Sequence, residues 1–244
     1  MSKSEHTVII TGATSGIGLG LAQAFLKDGF NVVGTGRSSA RLEETATRLA
    51  AGERFLPVAG DVGNPAVANV VFAKAIEAFG HVDVLINNAG IFTAKPFVDF
   101  TPDEIDEQIA TNLKGALYFS QAAARHMSER RRGKIVNVTA AIALQAHAGV
   151  PALMAAALKG GMNQATRALA LELAPYGVTV NAVAPGVVDT PMHAPETHDA
   201  LGRMHPLGRI AAVADIARAV RFLVQSNFVT GTILPVDGGF SAGR

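Results

Sequence analysis

Residues 11–18 read Thr-Gly-Ala-Thr-Ser-Gly-Ile-Gly. This stretch follows a short β-branched run and leads directly into a segment with helical spacing. Glycines after a strand allow a tight turn and a close approach of the backbone to a pyrophosphate, and the next helix presents unpaired N–H groups to the anion. The context therefore favours a phosphate-binding turn, while an ordinary strand-to-helix turn explains an isolated glycine cluster about as well.

Short β-branched runs alternate with helical segments along the chain. The predicted strands are Thr7 to Thr11, Asn31 to Thr35, Phe55 to Val58, Val82 to Asn87, Lys134 to Thr139, Val178 to Val183 and Thr232 to Val236. The predicted helices are Leu19 to Lys27, Leu42 to Ala51, Val67 to Phe79, Pro102 to Arg130, Met154 to Ala174 and Val213 to Val224. Parallel strands need crossover connections, and crossover helices cover both faces of the sheet. The order predicts an α/β Rossmann fold with a doubly wound, seven-stranded parallel sheet.

Composition limits the classes of function. The 244 residues are 49% hydrophobic and 17% charged, and no linker divides them, so we expect a single domain over residues 1–244. A net charge of +1 offers no broad surface for nucleic acid or an anionic membrane. The absence of cysteine excludes disulfides and thiolate metal sites, and we predict no metal site. No apolar stretch is long enough for a signal peptide core or a membrane span, so we expect a cytoplasmic protein.

The spacing Thr-Gly-x-x-x-Gly-x-Gly resembles that of the short-chain dehydrogenase/reductase family, and the resemblance covers nearly the whole chain. The further matching motifs are Asp61-Val62, Asn87-Asn88-Ala89-Gly90, Asn112-Leu113-Lys114-Gly115, Lys159-Gly160-Gly161, Val180 to Gly186, Thr190-Pro191-Met192 and Val236-Asp237-Gly238-Gly239. The resemblance implies an oxidoreductase with a nicotinamide cofactor and a small-molecule substrate. It also implies a homodimer or homotetramer in which the long helices pair with their symmetry mates.

The resemblance assigns the cofactor-binding positions. Asp61 and Val62 would flank the adenine, Asn88 to Gly90 would pass the adenosine ribose, and Val187 to Thr190 would touch the nicotinamide carboxamide. The full implied set is Gly12, Thr14, Ser15, Gly16, Ile17, Gly18, Arg37, Ser38, Asp61, Val62, Asn88, Ala89, Gly90, Lys159, Pro185, Gly186, Val188, Thr190 and Met192.

The end of the second strand favours NADP(H) over NAD(H). Gly36 stands where NAD-preferring members carry an Asp that holds the ribose hydroxyls, so no carboxylate would repel a 2′-phosphate. Arg37 offers that phosphate a permanent charge, and Ser38 offers a second donor. Alternatively, Arg37 is an exposed cap of the next helix, which would leave the preference weak.

The resemblance breaks at the catalytic positions. Family members use a Ser and a Tyr on the substrate oxygen, with a Lys that lowers the pKa of the phenol and an Asn that orders a water. Lys159 and Asn112 match the last two positions, but Ala140 stands where the Ser is expected. The neighbouring Thr139 should point to the opposite side of its strand.

The tyrosine is also missing under both alignments considered. Counting back from Lys159 places the position at Ala155, whereas counting forward from the fifth strand places it at Leu153. The two tyrosines of the chain, Tyr118 and Tyr176, fit packing or capping roles better. The segment 152–158 is therefore predicted to be an apolar helical wall opposite the nicotinamide.

A protein-derived proton donor would come from His147, after the fifth strand, or His193, at the start of the expected substrate lid. The leading hypothesis is an NADP(H)-dependent oxidoreductase with a non-standard mechanism that delivers hydride to an activated C=C or C=N bond, or to an unusual carbonyl. The alternatives are a catalytically silent NADP(H)-binding sensor or partner protein, a non-redox lyase or isomerase on the same fold, and deliberate engineering of the catalytic helix.

Overall fold

A seven-stranded parallel sheet forms the centre of the computed structural model, which describes residues 6–243. The strands are β1 (Thr7–Thr11), β2 (Asn31–Gly36), β3 (Phe55–Ala59), β4 (Val84–Asn87), β5 (Gly133–Val138), β6 (Val178–Pro185) and β7 (Ile233–Val236). They pair in the order β3-β2-β1-β4-β5-β6-β7, and every pairing is parallel. The predicted fold class is confirmed.

The crossover helices lie on both sides of the sheet. They are α1 (Gly16–Lys27), α2 (Ser39–Leu49), α3 (Pro65–Phe79), α4 (Pro102–Ile109), α5 (Gly115–Arg130), α6 (Leu153–Leu173), α7 (His198–Gly202) and α8 (Val213–Gln225). Short 3₁₀ turns lie at Gly52–Arg54, Phe97–Asp99, Ala141–Ala143, Ala174–Tyr176, Pro195–Thr197 and Phe240–Ala242.

The sheet is buried on both faces. In β1, Val8 and Ile10 pack with α1 and α8, while Ile9 between them packs with α3 and α5 on the other side. This two-sided burial explains why the central strands read as continuous apolar runs and not as alternating ones. Because the chain turns in opposite directions from β1 and β4, a crevice opens between their carboxyl ends.

The predicted helix Pro102 to Arg130 is divided in the structure. A π-helical turn, Ala110–Lys114, separates α4 from α5. The buried side chain of Asn112 lies in this turn, where its Oδ1 accepts from the Ile91 N–H at 3.0 Å and its Nδ2 donates to the Ile91 carbonyl at 2.9 Å. These two bonds tie the turn to the loop after β4 and hold Asn112 beside the crevice.

The described residues include no helix long and apolar enough to cross a membrane. Within the same part of the chain, no group of three or more His, Asp or Glu residues is arranged to hold a metal ion.

One histidine makes the fold sensitive to acid. His126 on α5 accepts a hydrogen bond from the Val82 N–H at its Nε2, 3.1 Å away, so the ring must be neutral. Burial, aided by the charge of Arg130, lowers the pKa of His126 below its usual value. The unfolded chain, with a His pKa of about 6.5, therefore binds more protons than the folded chain below that pH.

We expect the melting temperature to fall as the pH drops below about 6.5, and to fall less steeply in His126→Gln, because glutamine does not titrate. Thermal unfolding followed by circular dichroism at several pH values measures both slopes. Other acid-titrating groups are common to both proteins, so equal slopes would show that His126 does not contribute.

Candidate active site

A cavity of about 650 Å³ opens at the carboxyl ends of the strands, over the crevice between β1 and β4. Its walls contain every cofactor-binding residue predicted from the sequence except Gly18. They are Gly12, Thr14, Ser15, Gly16, Ile17, Arg37, Ser38, Asp61, Val62, Asn88, Ala89, Gly90, Lys159, Pro185, Gly186, Val188, Thr190 and Met192. The structure thus gathers into one cavity residues that are far apart in sequence.

Gly18 lies behind the cavity wall and controls how closely the elements pack. A Cβ at Gly18 would lie 2.1 Å from the carbonyl oxygen of Gly12 and 2.6 Å from Nδ2 of Asn88. Gly12 itself has a backbone φ of +69°, a value that residues other than glycine rarely adopt. The Asn88 side chain donates to the carbonyls of Thr11 and Gly12 at 2.9 and 3.2 Å, so it joins β4 to the glycine turn.

The start of α1 fits a diphosphate. Ser15 is the N-cap, but its side chain accepts no hydrogen bond from the helix, so the first amides lack a side-chain acceptor. The helix dipole also places partial positive charge at this end. The residues present therefore suit a dinucleotide whose pyrophosphate lies against this turn.

The adenosine end of the cavity is cationic. Arg37 lies 3.6 Å from Glu107, and both side chains are mostly exposed, so the pair contributes only about 0–1 kcal/mol and leaves the guanidinium able to bind a phosphate. Ser38, and not Arg37, caps α2, since its Oγ accepts from the Arg41 N–H at 3.3 Å. Arg41 also lines the cavity. Arg41 was not predicted from the sequence, although it lies four residues after Arg37 and within the first turn of α2.

Lys159 and Asn112 meet across Gly90. The Lys159 Nζ donates to the Val138 carbonyl at 2.9 Å. A Cβ at Gly90 would lie 2.9 Å from the Asn112 Oδ1 and 3.4 Å from the Lys159 Nζ. Burial lowers the pKa of Lys159 to about 8. The two predicted catalytic residues are thus close together at the inner end of the cavity.

The wall next to Lys159 is apolar. Ala140 and Ala155 both line the cavity, and Ala155 lies one helical turn before Lys159 on the same face of α6. Leu153 begins α6 with 51% of its surface exposed and is not part of the wall. Thr139 also lines the cavity, but its hydroxyl donates to the Val183 carbonyl at 3.1 Å.

Neither tyrosine belongs to this wall. Tyr118 on α5 packs against the core between the sheet and α3, and Tyr176 is 43% exposed in the turn after α6. The cavity lining of the described residues therefore contains no phenol.

The predicted proton donors are placed differently. His193 lines the cavity, and burial, aided by His198, lowers its pKa. His147 is not in the wall: its Nδ1 accepts from the Gly149 N–H at 3.1 Å and its ring stacks on Phe240 at 5.8 Å.

Two further residues, Phe240 and His205, line the cavity and were not predicted from the sequence motifs. His205 is buried, and its ring nitrogens contact the Val187 N–H at 3.0 Å and the Leu201 carbonyl at 3.1 Å. Both nitrogens are therefore occupied, which gives this histidine a structural role under the loop after β6.

A parallel sheet with a glycine turn at its switch point is the arrangement of a dinucleotide-binding Rossmann fold. The family model described as enoyl-(acyl carrier protein) reductase matches residues 12–241. The chain belongs to the short-chain dehydrogenase/reductase family.

The relatives are oxidoreductases of similar length. The chain is 36% identical to the (2S)-[(R)-hydroxy(phenyl)methyl]succinyl-CoA dehydrogenase subunit BbsD of Thauera aromatica, over 99% of this chain and 98% of that protein. The solved structure of ElxO with NADP bound superposes with a TM-score of 0.92 and 29% identity, over 98% of this chain and 99% of ElxO. The 3-ketoacyl-(acyl-carrier-protein) reductase of Brucella melitensis, complexed with NADH, gives a TM-score of 0.92 and 32% identity, over 98% of this chain and 100% of that chain.

We predict that the chain binds NADPH at least about tenfold more tightly than NADH, because an arginine–phosphate contact adds about 1.4 kcal/mol or more. Arg37→Ala should remove most of this preference, and Arg41→Ala should remove part of it, while NADH affinity changes little. Calorimetric titration of both cofactors measures the ratio.

Arg48→Ala is the matched control, because Arg48 is an exposed arginine of α2 that does not line the cavity. Equal affinities for the two cofactors in the parent, or an unchanged ratio in Arg37→Ala, would contradict the assignment of Arg37.

Proposed function

We propose that this protein is an NADP(H)-dependent oxidoreductase that adds hydride to an activated C=C or C=N bond without the serine and tyrosine of its family. One observation carries the proposal: the cavity joins the dinucleotide-binding residues to Lys159 and Asn112, yet Ala140 and Ala155 form the wall where the two donors are expected. The protein is thus an atypical member with an intact cofactor site and an apolar reaction chamber.

The cofactor is NADP(H), and the chemistry that it supplies when bound is hydride transfer. Arg37 and Ser38 would bind the 2′-phosphate, and the amides at the start of α1 would bind the pyrophosphate. Lys159 would bind the nicotinamide ribose. Asn112 bonds to the backbone of Ile91 and so fixes the loop after β4, which would pass the adenosine ribose.

The apolar wall decides which bonds can be reduced. Reduction of a ketone places negative charge on oxygen, and the removal of the general acid that neutralises this charge commonly costs about 10²- to 10⁴-fold in rate. A conjugate enone accepts hydride at carbon and spreads the charge over an enolate, while an iminium already carries the positive charge that a phenol would have supplied. The description of the matching family model names a reductase of a C=C bond, enoyl-(acyl carrier protein) reductase.

His193 is the side chain best placed to supply a proton, since it lines the same cavity. Its lowered pKa keeps the ring mostly neutral at pH 7, so donation from His193 would become more effective as the pH falls. His147 would act only if the contact with Phe240 opened, because Phe240 and not His147 forms the wall.

A catalytically silent NADP(H)-binding protein is the second candidate, and the same observation favours it: the chamber lacks a phenol beside Lys159. It would bind NADPH with the same preference but oxidise it with no carbonyl, enone or imine compound.

We also propose a homodimer or homotetramer. The exposed apolar side chains Leu117 on α5 and Leu171 on α6 would be covered in it. Light scattering would then give a molar mass at least twice 25.2 kDa.

Ala155→Tyr combined with Ala140→Ser should create reduction of simple ketones, at a rate about a hundredfold or more above the parent. The new phenol would lie one turn before Lys159 on the face that lines the cavity. NADPH oxidation followed at 340 nm measures the rate.

Leu153→Tyr combined with Ala140→Ser is the control, because Leu153 lies outside the cavity wall. It should leave the rate near that of the parent. If the parent already reduces simple ketones as fast as the Ala155→Tyr double variant, a group such as His193 donates the proton in place of the tyrosine, and the proposed mechanism is wrong.

A further inference from the structure

We propose that Lys159 is a nucleophilic amine that condenses with apolar aldehydes to form a Schiff base in the cofactor-free protein. This activity is separate from hydride transfer and requires no redox partner. The inference begins with the surroundings of Nζ. Among the described residues, Nζ makes one hydrogen bond, to the Val138 carbonyl at 2.9 Å, and it forms no ion pair with a carboxylate.

The geometry leaves the lone pair of the amine free. A neutral amine that donates one N–H to Val138 still has its lone pair and a second N–H for an incoming group. A large side chain at position 155 would reach this space, but the methyl group of Ala155 leaves it open. Lys159 therefore faces a chamber large enough for a small organic molecule.

The electrostatics of the cavity also favour a neutral, nucleophilic Lys159. Because no anion balances the charge of Lys159, its burial favours the neutral form and lowers its pKa to about 8. At neutral pH the free-amine fraction is then on the order of a hundredfold larger than that of an ordinary lysine with a pKa of about 10.4. Desolvation in an apolar pocket is one of the ways by which proteins activate a lysine nucleophile.

The walls indicate the class of carbonyl compound. Aliphatic side chains line the cavity that contains Nζ; they belong to Val138, Ala140, Ile142, Val150 and Ala155. An uncharged aldehyde with an aromatic or aliphatic substituent matches these walls, since its apolar part is removed from water without the loss of polar contacts.

The reaction balances without a co-reactant. The lone pair of Nζ attacks the carbonyl carbon, one proton moves from nitrogen to oxygen, and a carbinolamine forms. The oxygen then leaves as water with a second proton from nitrogen, which leaves a C=N bond between Lys159 and the former aldehyde carbon. One amine and one aldehyde give one imine and one water, and nothing is oxidised or reduced.

Reductive trapping tests this inference. The cofactor-free parent is incubated with benzaldehyde and sodium cyanoborohydride, and peptide mapping by mass spectrometry gives the labelling rate of each lysine. Lys74, an exposed lysine of α3, is the internal reference. We expect labelling of Lys159 about tenfold or more faster than that of Lys74 at neutral pH. The Lys159 rate should level off above a pH of about 8, while the Lys74 rate continues to rise.

Lys159→Met should abolish the rapid labelling by benzaldehyde, and Lys74→Met should retain it. Circular dichroism reports whether each variant folds. The map of the parent decides the question even where Lys159→Met does not fold. Labelling of Lys159 no faster than that of Lys74 would overturn the inference, whether or not the protein oxidises NADPH. Fast labelling that saturating NADPH does not suppress would support the inference and count against the placement of the cofactor ribose on Lys159.

Discussion

The backbone approaches itself closely at Gly12 and Gly18, and this approach positions the cavity. With hydrogen at both Cα atoms, α1 begins directly against the end of β1, and Asn88 can bond to the carbonyls of Thr11 and Gly12. Any side chain at Gly18 would push α1 away from β1 and break the contact with Asn88. Because that contact joins β1 to β4, it also fixes the crevice from which the cavity is built.

The same crevice explains why the inner end of the cavity carries an unusual lysine. Gly90 lets the chain pass close to Asn112 and Lys159, and Nζ donates to the Val138 carbonyl at 2.9 Å. Burial lowers the pKa of Lys159 to about 8, because the charged form is removed from water. The methyl groups of Ala140 and Ala155 line the same cavity, so a lysine typical of the family lies beside an apolar wall.

The sheet could be predicted from the sequence because seven β-branched runs alternate with helical segments, and parallel connections leave few topologies. The positions that the family resemblance assigns to the cofactor lie mostly in motifs next to strand ends, and all of them except Gly18 line one cavity. The π-turn at Ala110–Lys114 could not be predicted, since it depends on bonds between Asn112 and the backbone of Ile91, far away in sequence. The sequence likewise did not show which of Ala155 and Leu153 faces the cavity, because this depends on where α6 begins. The position of His147 outside the wall depends on its contact with Phe240, which is distant in sequence.

A single-turnover experiment tests the central claim most directly. The protein is loaded with one equivalent of NADPH and mixed with matched sets of conjugate enones, cyclic imines and simple ketones, and the loss of absorbance at 340 nm is followed. We predict that at least one enone or imine oxidises the bound NADPH, at a rate about a hundredfold or more above any ketone. Oxidation by ketones at comparable rates, or by none of the three sets, would contradict a site that transfers hydride without the phenol.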